Sequence, residues 1–311
     1  MARATSYREL VKLMGNRFEF TAVSDDQVVA KLAISEAISE VKRIEELLST
    51  FKESSQVNEI NRFAGIKPVE VDEEVIGLVV RSLKISSITQ GAFDITYGSI
   101  DKSLWNFDVN MKSLPDRETA LKGVKMINYE NVIVNTKNST VMLKNKGMRI
   151  GFGGIGKGYA ADRAKQVMMG RGIKSGIVNA AGDLVTWGAE PGGKPWTIGI
   201  ADPNCKQHAF SALSISNMAV ATSGNYEKYA IIDGKKYSHT IDPKTGMLVS
   251  GIKSVSIICP SAELADALAT PVFVMGTAVG LSLINQLNNV ACVVIDDNDQ
   301  VYASNNINLK Y

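Results

Sequence analysis

Apolar residues recur at helical spacing along two long stretches of the first hundred residues. In residues 25–51, and again in residues 72–89, they return every three to four positions, which predicts two amphipathic helices. The apolar side chains of the first helix are Val29, Leu32, Ala33, Ile38, Val41, Ile44 and Leu48, and those of the second, expected to face inward, are Ile76, Val79, Val80, Leu83 and Ile88. Alternation over residues 13–23 predicts a strand before the first helix.

The later part of the chain is richer in predicted strands. After a surface excursion at 101–125, a hairpin is expected over 131–150 with its turn at 137–140, followed by a helix over 157–171. Further strands are predicted at 176–185, 196–200, 212–222, 228–232, 252–259 and 290–295, and further helices at 261–271 and 276–287. This order predicts an α+β architecture of two interlocked halves, with the active cleft where the halves meet.

Composition and charge narrow the class of protein. The chain has 311 residues, of which 45% are hydrophobic, so it can bury a substantial core. Its 34 basic and 32 acidic residues are interleaved, so no clustered basic surface for nucleic acid is expected. Cys205, Cys259 and Cys292 are too few and too scattered for a disulfide framework or a thiolate zinc site. Neither a signal peptide nor a membrane span is evident, which favours a cytoplasmic protein, or an exported one if a leader has been removed.

A glycine-rich segment, GFGGIGKG at 151–158, leads into the third predicted helix. Glycines expose backbone amides at a helix start, and the Lys157 ammonium would complete an anion site, so the segment predicts a cradle for a diphosphate. Its spacing also fits the dinucleotide fingerprint, but no parallel βαβ unit surrounds it, and Gly158 stands where a P-loop needs Ser or Thr. A tight turn that packs a strand against a helix is the alternative.

A carboxylate and a hydroxyl stand four positions apart in the predicted helix at 261–271. Asp266 and Thr270 would share one helical face, one turn apart, as hard-oxygen ligands for a divalent cation do. A local cap or a solvated helix edge is the alternative that these two residues alone leave open.

Candidates for proton transfer are few, because the chain has only two histidines. His208 lies in a polar loop and is expected at the surface. His239 precedes the turn formers Asp242-Pro243 and Thr245-Gly246, which would hold its ring at a strand end near the cleft. The sequence leaves open whether His239 is a base, a ligand or an ordinary loop residue.

Two other short segments are suited to contact with a ligand. Thr222, Ser223 and Gly224 end an apolar strand in a small polar turn, which fits the close approach of a ligand or an ordinary hairpin. The run Ala92-Phe93-Asp94 places an aromatic face beside a carboxylate, although a phenylalanine here is more often part of the core.

Taken together and in order, eight segments resemble the FAD:protein FMN transferase (ApbE) family. They are MGNRFEF at 14–20, LSTFKESSQVNEIN at 48–61, GAFDITYG at 91–98, GGIGKGYAAD at 153–162, VNAAGDL at 178–184, VATSGNYEKY at 220–229, SHTIDPKTG at 238–246 and ADALAT at 265–270. The resemblance implies one flavin transferase domain over 1–311 with an ApbE-like, T-fold-related architecture. It also implies the reaction: FAD is cleaved at its diphosphate with Mg²⁺, and FMN is attached through a phosphoester to a Thr or Ser, with release of AMP. The partner would be an acceptor flavoprotein with a Gly-Ala-Thr/Ser-type flavinylation motif.

The resemblance also implies roles for individual residues. The metal ligands would be the side chains of Asp266 and Thr270 with the carbonyl oxygen of Gly154. His239 corresponds to the family's histidine and is the candidate general base. Asp183 would orient it or hold an outer-shell water, with a strand-end turn as the alternative. The implied contacts with FAD fall on Met14, Phe51, Ala92, Phe93, Asp94, Lys157, Ser223 and Ile241.

Three positions depart from the family's pattern. Gly151 stands where Asp is usual, Phe51 where Tyr is common, and Ala181 interrupts a Gly-Gly pair, which puts the affinity for adenosine in question. Two other functions stay open: an FAD pyrophosphatase, in which water replaces the protein hydroxyl, and a flavin-binding protein without turnover. An unrelated nucleotide-binding domain built on residues 151–158 is a remote third.

Overall fold

A large antiparallel sheet flanked by helices forms the centre of the molecule. The computed structural model describes residues 4–101, 113–202, 205–225, 229–232 and 234–307, and of residues 200–202, 205–211 and 235 it describes the backbone only. The side chains of Cys205 and His208, and residues 102–112 of the predicted surface excursion, therefore lie outside the described residues.

The strands and helices are numbered in chain order. The strands are β1 (Thr5–Leu13), β2 (Asn16–Ser24), β3 (Val69–Glu70), β4 (Val132–Asn135), β5 (Thr140–Leu143), β6 (Ser175–Ala180), β7 (Asp183–Trp187), β8 (Trp196–Asp202), β9 (Cys205–Ile215), β10 (Ala219–Gly224), β11 (Tyr229–Ile232), β12 (Lys235–Ser238), β13 (Ile252–Cys259), β14 (Ala291–Asp296) and β15 (Val301–Ala303). The helices are α1 (Gln27–Leu48), α2 (Gln56–Arg62), α3 (Glu73–Ile88), α4 (Arg117–Val124), α5 (Gly156–Gly170), α6 (Ala262–Met275) and α7 (Thr277–Ile284). Among the helices of the described ranges, none has both the length and the apolar character of a membrane span.

The main sheet has the strand order β1-β2-β6-β7-β10-β13-β14-β15, with every neighbouring pair antiparallel. Helices α1, α5 and α6 pack on one face. On the other face, Trp196 and Ile198 of the β8–β9 hairpin pack against Val220 and Ile258. Because successive strand residues point to opposite faces, the two faces are buried under different elements, and the central strands are apolar along most of their length.

The helical faces differ in part from those predicted. Val29 and Leu32 of α1 are 38% and 50% exposed, and Val80 and Ile88 of α3 are 41% and 37% exposed. Val29 lies in the first turn of α1, where its N–H is capped by the Asp26 carboxylate. In α3 the buried stripe includes two serines and so cannot be found from apolar residues alone. Its members are Val75, Ile76, Leu78, Val79, Ser82, Ile85 and Ser86.

Two predicted strands prove to be pairs of strands. The segment at 176–185 turns at Ala181 (φ 57°) and Gly182 (φ 104°), so that β6 pairs with β7. Two successive positive φ angles in a two-residue loop are typical of a tight hairpin turn. The segment at 212–222 breaks at Asn217, again at positive φ, between β9 and β10. Alanine rarely adopts a positive φ angle, so the turn between β6 and β7 at Ala181 could not be recognised from the residue types usual in such turns.

A network of ion pairs ties α1 to α3 and α5. Glu40 of α1 accepts from Arg43 Nε at 2.8 Å and from Arg163 Nη2 at 2.9 Å, and Arg43 Nη1 continues to Glu74 Oε2 at 2.7 Å. The hydrogen bond from Arg43, followed by the one from Arg163, lowers the pKa of Glu40 to about 2, although burial acts the other way. A carboxyl whose folded pKa is lowered stabilises the fold above its unfolded pKa, and that contribution is lost as the pH falls through the folded pKa.

We expect Glu40→Gln to lower the free energy of unfolding by about 1–2 kcal/mol at pH 7, because two guanidinium partners lose their carboxylate. The difference from the unmutated protein should shrink as the pH falls from about 4.5 toward 2. Urea unfolding across this pH range measures it. Glu36→Gln, on the same helix in a more exposed pair with Arg171, is the matched control and should cost below about 0.5 kcal/mol. Equal losses in the two variants would contradict the assignment.

Candidate functional site

A cavity of about 780 Å³ lies where the glycine segment, the end of α3, the turn after β12 and helix α6 meet. This volume is within the range of small-molecule sites, roughly 300–1,000 Å³. The predicted site residues that line it are Phe51, Ala92, Phe93, Asp94, Gly154, His239, Ile241 and Thr270. Phe51 is 95% exposed and stands at the rim, whereas Phe93 and Ile241 are buried in the wall.

The other predicted site residues lie beside this cavity. Ser223, at the end of β10, has its Oγ 3.2 Å from Thr270 Oγ1. Met14, at φ 50° in the turn between β1 and β2, lies with its side chain near Gly156 at the start of α5. Lys157, Asp183 and Asp266 form a cluster of their own, described next.

The cluster consists of one ammonium and two carboxylates from three separate elements. Lys157, in the first turn of α5, contacts Asp183 Oδ2 at the start of β7, and its Nζ lies 3.4 Å from Asp266 Oδ1 on α6. Asp183 and Asp266 are each only 5% exposed. Burial lowers the pKa of Lys157, but the two carboxylates outweigh this effect and raise it above its ordinary value. Burial and the nearby Asp266 raise the pKa of Asp183, against the effect of Lys157.

The start of α5 is held against α6 by a backbone contact. Gly158 N donates to Asp266 Oδ2 at 3.0 Å, so the carboxylate satisfies one of the free amides at the positive end of the helix. A Cβ on Gly158 would lie 2.0 Å from the carbonyl oxygen of Ala262 and 2.8 Å from Asp266 Cβ. Glycine is therefore required here, because any side chain would push α5 away from α6.

We expect Gly158→Ala to lower the free energy of unfolding by about 1–3 kcal/mol, because the added methyl group overlaps the α6 backbone. Chemical denaturation measures the loss. Gly153→Ala, five residues earlier in the same segment, is the matched control, since a Cβ there meets nothing within 4 Å. Equal stability of the two variants would show that Gly158 is not required for the packing of α5 on α6.

The Asp94 carboxylate is engaged by its own surroundings. It accepts from Thr96 N at 2.7 Å, Thr96 Oγ1 at 2.6 Å and Tyr129 N at 2.9 Å. Burial raises its pKa, and these three hydrogen bonds oppose that effect. Asp94 thus fixes the 3₁₀ turn that follows it, directly after Phe93 in the cavity wall.

The turn that follows His239 is anchored by its turn formers. Asp242 caps it, with Lys244 N donating to Oδ1 and Thr245 Oγ1 donating to Oδ2, each at 2.9 Å. Gly246, at φ 70°, packs so closely on α4 that a Cβ would lie 2.2 Å from the carbonyl oxygen of Ala120. His239 follows β12 directly, is half-buried and lines the cavity.

Asn61 is a site-supporting residue that the sequence reasoning did not single out. It is buried on α2, donates to the carbonyl oxygen of Ile150 at 3.0 Å and accepts from Ile150 N at 2.7 Å. This two-way bond fixes the chain immediately before Gly151, where the glycine segment begins. The sequence did contain a clue to this role, because Asn61 is the last residue of the segment at 48–61 that resembles the family.

The donors available for a metal are few and are all oxygen atoms. Among the described residues there is no group of three or more His, Cys, Asp or Glu side chains placed to bind a metal ion. Asp266 and Thr270 lie one turn apart on α6, and Gly154 and Thr270 line the same cavity. One carboxylate with neutral oxygens fits Mg²⁺, which commonly keeps part of its shell for water and substrate phosphates. Gly154 itself is not required by packing, because a Cβ there would make only an ordinary contact with Phe93, at 3.5 Å.

Comparison with known proteins assigns this chain and its fold to a family. The ApbE family model matches residues 14–294, and the chain belongs to the ApbE family. An FAD:protein FMN transferase of Klebsiella pneumoniae (strain 342) is 29% identical over 301 residues, which cover 96% of this chain and 92% of the relative. One of Escherichia coli (strain K12) is 33% identical over 238 residues, which cover 75% of this chain and 68% of the relative.

A solved structure agrees with this assignment. The crystal structure of the ApbE protein from Thermotoga maritima matches with a TM-score of 0.86 at 32% identity, over 97% of this chain and 98% of that one. The family resemblance and the α+β fold class inferred from the sequence are thereby confirmed. The roles of individual site residues stay predictions.

Proposed function

We propose that this chain is a Mg²⁺-dependent FAD:protein FMN transferase, which attaches FMN through a phosphoester to a Thr or Ser of an acceptor flavoprotein and releases AMP. Membership in the ApbE family and relatives named for this activity support the proposal. The observation that carries it is one cavity lined by His239, Gly154 and Thr270 together, with Asp266 one turn from Thr270.

Different residues of the cavity would bind the metal, contact the flavin and admit the acceptor during phosphoryl transfer. Asp266, Thr270 and the carbonyl oxygen of Gly154 would hold Mg²⁺, which supplies charge neutralisation for the diphosphate and for the departing phosphate of AMP. Phe93 and Ile241 give an apolar wall against which a flavin ring can pack. The exposed rim at Phe51 leaves the cavity open to an acceptor as large as a protein segment.

In the proposed reaction, His239 takes the proton of the acceptor hydroxyl. As that oxygen attacks the phosphorus on the FMN side, a new P–O bond forms, the diphosphate P–O bond breaks, and AMP leaves with the bridging oxygen. Imidazole suits this task because its unperturbed pKa lies near neutrality. Lys157, whose ammonium lies 3.4 Å from Asp266 Oδ1, would add positive charge near the diphosphate.

Incubation with FAD, Mg²⁺ and an acceptor that carries a Gly-Ala-Thr flavinylation motif tests the proposal. A fluorescent acceptor band on a denaturing gel is the expected result. Free FMN and AMP without labelled acceptor would identify a pyrophosphatase, and FAD that is bound but unchanged would identify a binding protein; both outcomes contradict the proposal.

His239→Gln should slow transfer by about 10²–10⁴-fold while FAD binding is retained, because a general base is lost but the cavity wall is kept. Single-turnover labelling of the acceptor measures the rate, and quenching of flavin fluorescence measures binding. His208→Gln removes the other histidine of the chain and should leave the rate unchanged. If the His239 variant transfers at the normal rate, another group is the base.

Asp266→Asn should reduce Mg²⁺-dependent transfer by at least about 100-fold with little loss of fold stability. The amide oxygen can still accept from Gly158 N, but the charge that would hold the metal is gone. Glu263→Gln, on the same helix and paired with Arg81 away from the cavity, is the control. Normal turnover by the Asp266 variant would remove the metal assignment.

A further inference from the structure

Lys157 contacts Asp183 and also approaches Asp266, and neither metal coordination nor proton transfer explains these contacts. We propose that Lys157 is an internal counter-ion that competes with Mg²⁺ for Asp266, and that Asp183 sets the affinity of the metal site by holding the Lys157 ammonium away from Asp266. This inference rests on the proposed function, since it concerns the metal site assigned there.

The two oxygens of Asp266 are in different positions. Oδ2 accepts from Gly158 N at 3.0 Å, whereas Oδ1 has the Lys157 ammonium 3.4 Å away. The hydrogen bond from Gly158 N cannot break unless α5 moves away from α6. Oδ1 is therefore the oxygen free to bind a cation, and it is the one that the ammonium approaches.

The charges of the cluster make this competition strong. Two carboxylates and one ammonium sum to a single negative charge, and both carboxylates are almost completely buried. A divalent cation on Asp266 would share a weakly screened environment with the ammonium, where like charges repel far more than in water. An ammonium drawn toward Asp183 reduces that repulsion, and one drawn toward Asp266 increases it.

Asp183 is well built to hold the ammonium. It begins β7 directly after the tight turn at Ala181 and Gly182, and it pairs in register with Ala180. Its contact with Lys157 is the shorter of the two that the ammonium makes. Asp183 is thus a positioning residue fixed by the central sheet, and it acts on the metal through Lys157.

This arrangement predicts opposite effects for the two partners. Lys157→Met removes the competing charge and should tighten Mg²⁺ binding by at least about tenfold. Asp183→Asn leaves Asp266 as the main anionic partner of the ammonium and should weaken Mg²⁺ binding by a similar factor. Once Lys157 is absent, Asp183→Asn should change the affinity by less than about threefold, because its effect passes through the ammonium.

The experiment is titration calorimetry of the full chain with MgCl₂ alone, without FAD, on the unmutated protein, the two single variants and the double variant. Lys165→Met, on the same helix but outside the cluster, is the matched control and should leave the dissociation constant unchanged. Thermal unfolding with and without Mg²⁺ gives a second readout. Lys157→Met should unfold at a lower temperature without Mg²⁺ and gain more from Mg²⁺ than the unmutated protein does.

The outcomes separate this inference from the proposed function. If the unmutated protein binds Mg²⁺ and Lys157→Met binds no more tightly, the competition is refuted and the metal site stands. If Asp183→Asn weakens binding equally with and without Lys157, Asp183 acts directly on the metal, which also refutes the inference. Lys157→Gln, which keeps a polar group beside the carboxylates, replaces Lys157→Met if the latter does not fold. Absence of Mg²⁺ binding in both Lys157 variants overturns the inference and the metal assignment together.

Discussion

The structure depends most on one electrostatic constraint, the balance of two buried carboxylates by one ammonium. Asp183 comes from the central sheet, Asp266 from α6, and Lys157 from the first turn of α5. Loss of Lys157 would leave two buried carboxylates without their cation, which is strongly unfavourable in a protein interior, whereas loss of one aspartate leaves the ammonium paired with the other. These ion pairs therefore hold β7, α5 and α6 together beside the cavity. The same charges determine how strongly the site binds a cation.

The packing of α5 on α6 makes this balance possible. Because Gly158 has no side chain, its backbone amide reaches Asp266, and the positive end of α5 is directed at a carboxylate. The glycine segment therefore allows α5 to pack closely on α6, at least as much as it allows a ligand to come close to the backbone. Asn61, Asp94 and Asp242 then fix the surrounding loops, so these three polar side chains are committed to holding the shape of the cavity.

The features that could be predicted from sequence are local ones. The pairing of Asp266 with Thr270 follows from helical spacing, and the turn after His239 follows from Asp242 and Gly246. The ordered segments were sufficient for the family and the fold class. Contacts between distant positions could not be predicted, since Lys157 is 26 positions from Asp183 and 109 from Asp266, and only the sheet order brings them together. The turn at Ala181 was missed because alanine seldom adopts positive φ, and the buried face of α3 because two of its members are serines.

The central claim is that a cation held by Asp266 and Thr270 lies in the same cavity as His239. A crystal structure of the protein with FAD and Mn²⁺, with the metal located by its anomalous scattering, tests it most directly. The account predicts one manganese peak at bonding distance from the Asp266 carboxylate and the Thr270 hydroxyl, with the diphosphate of FAD between the metal and the His239 ring. A manganese ion bound elsewhere, or a flavin outside this cavity, would contradict it.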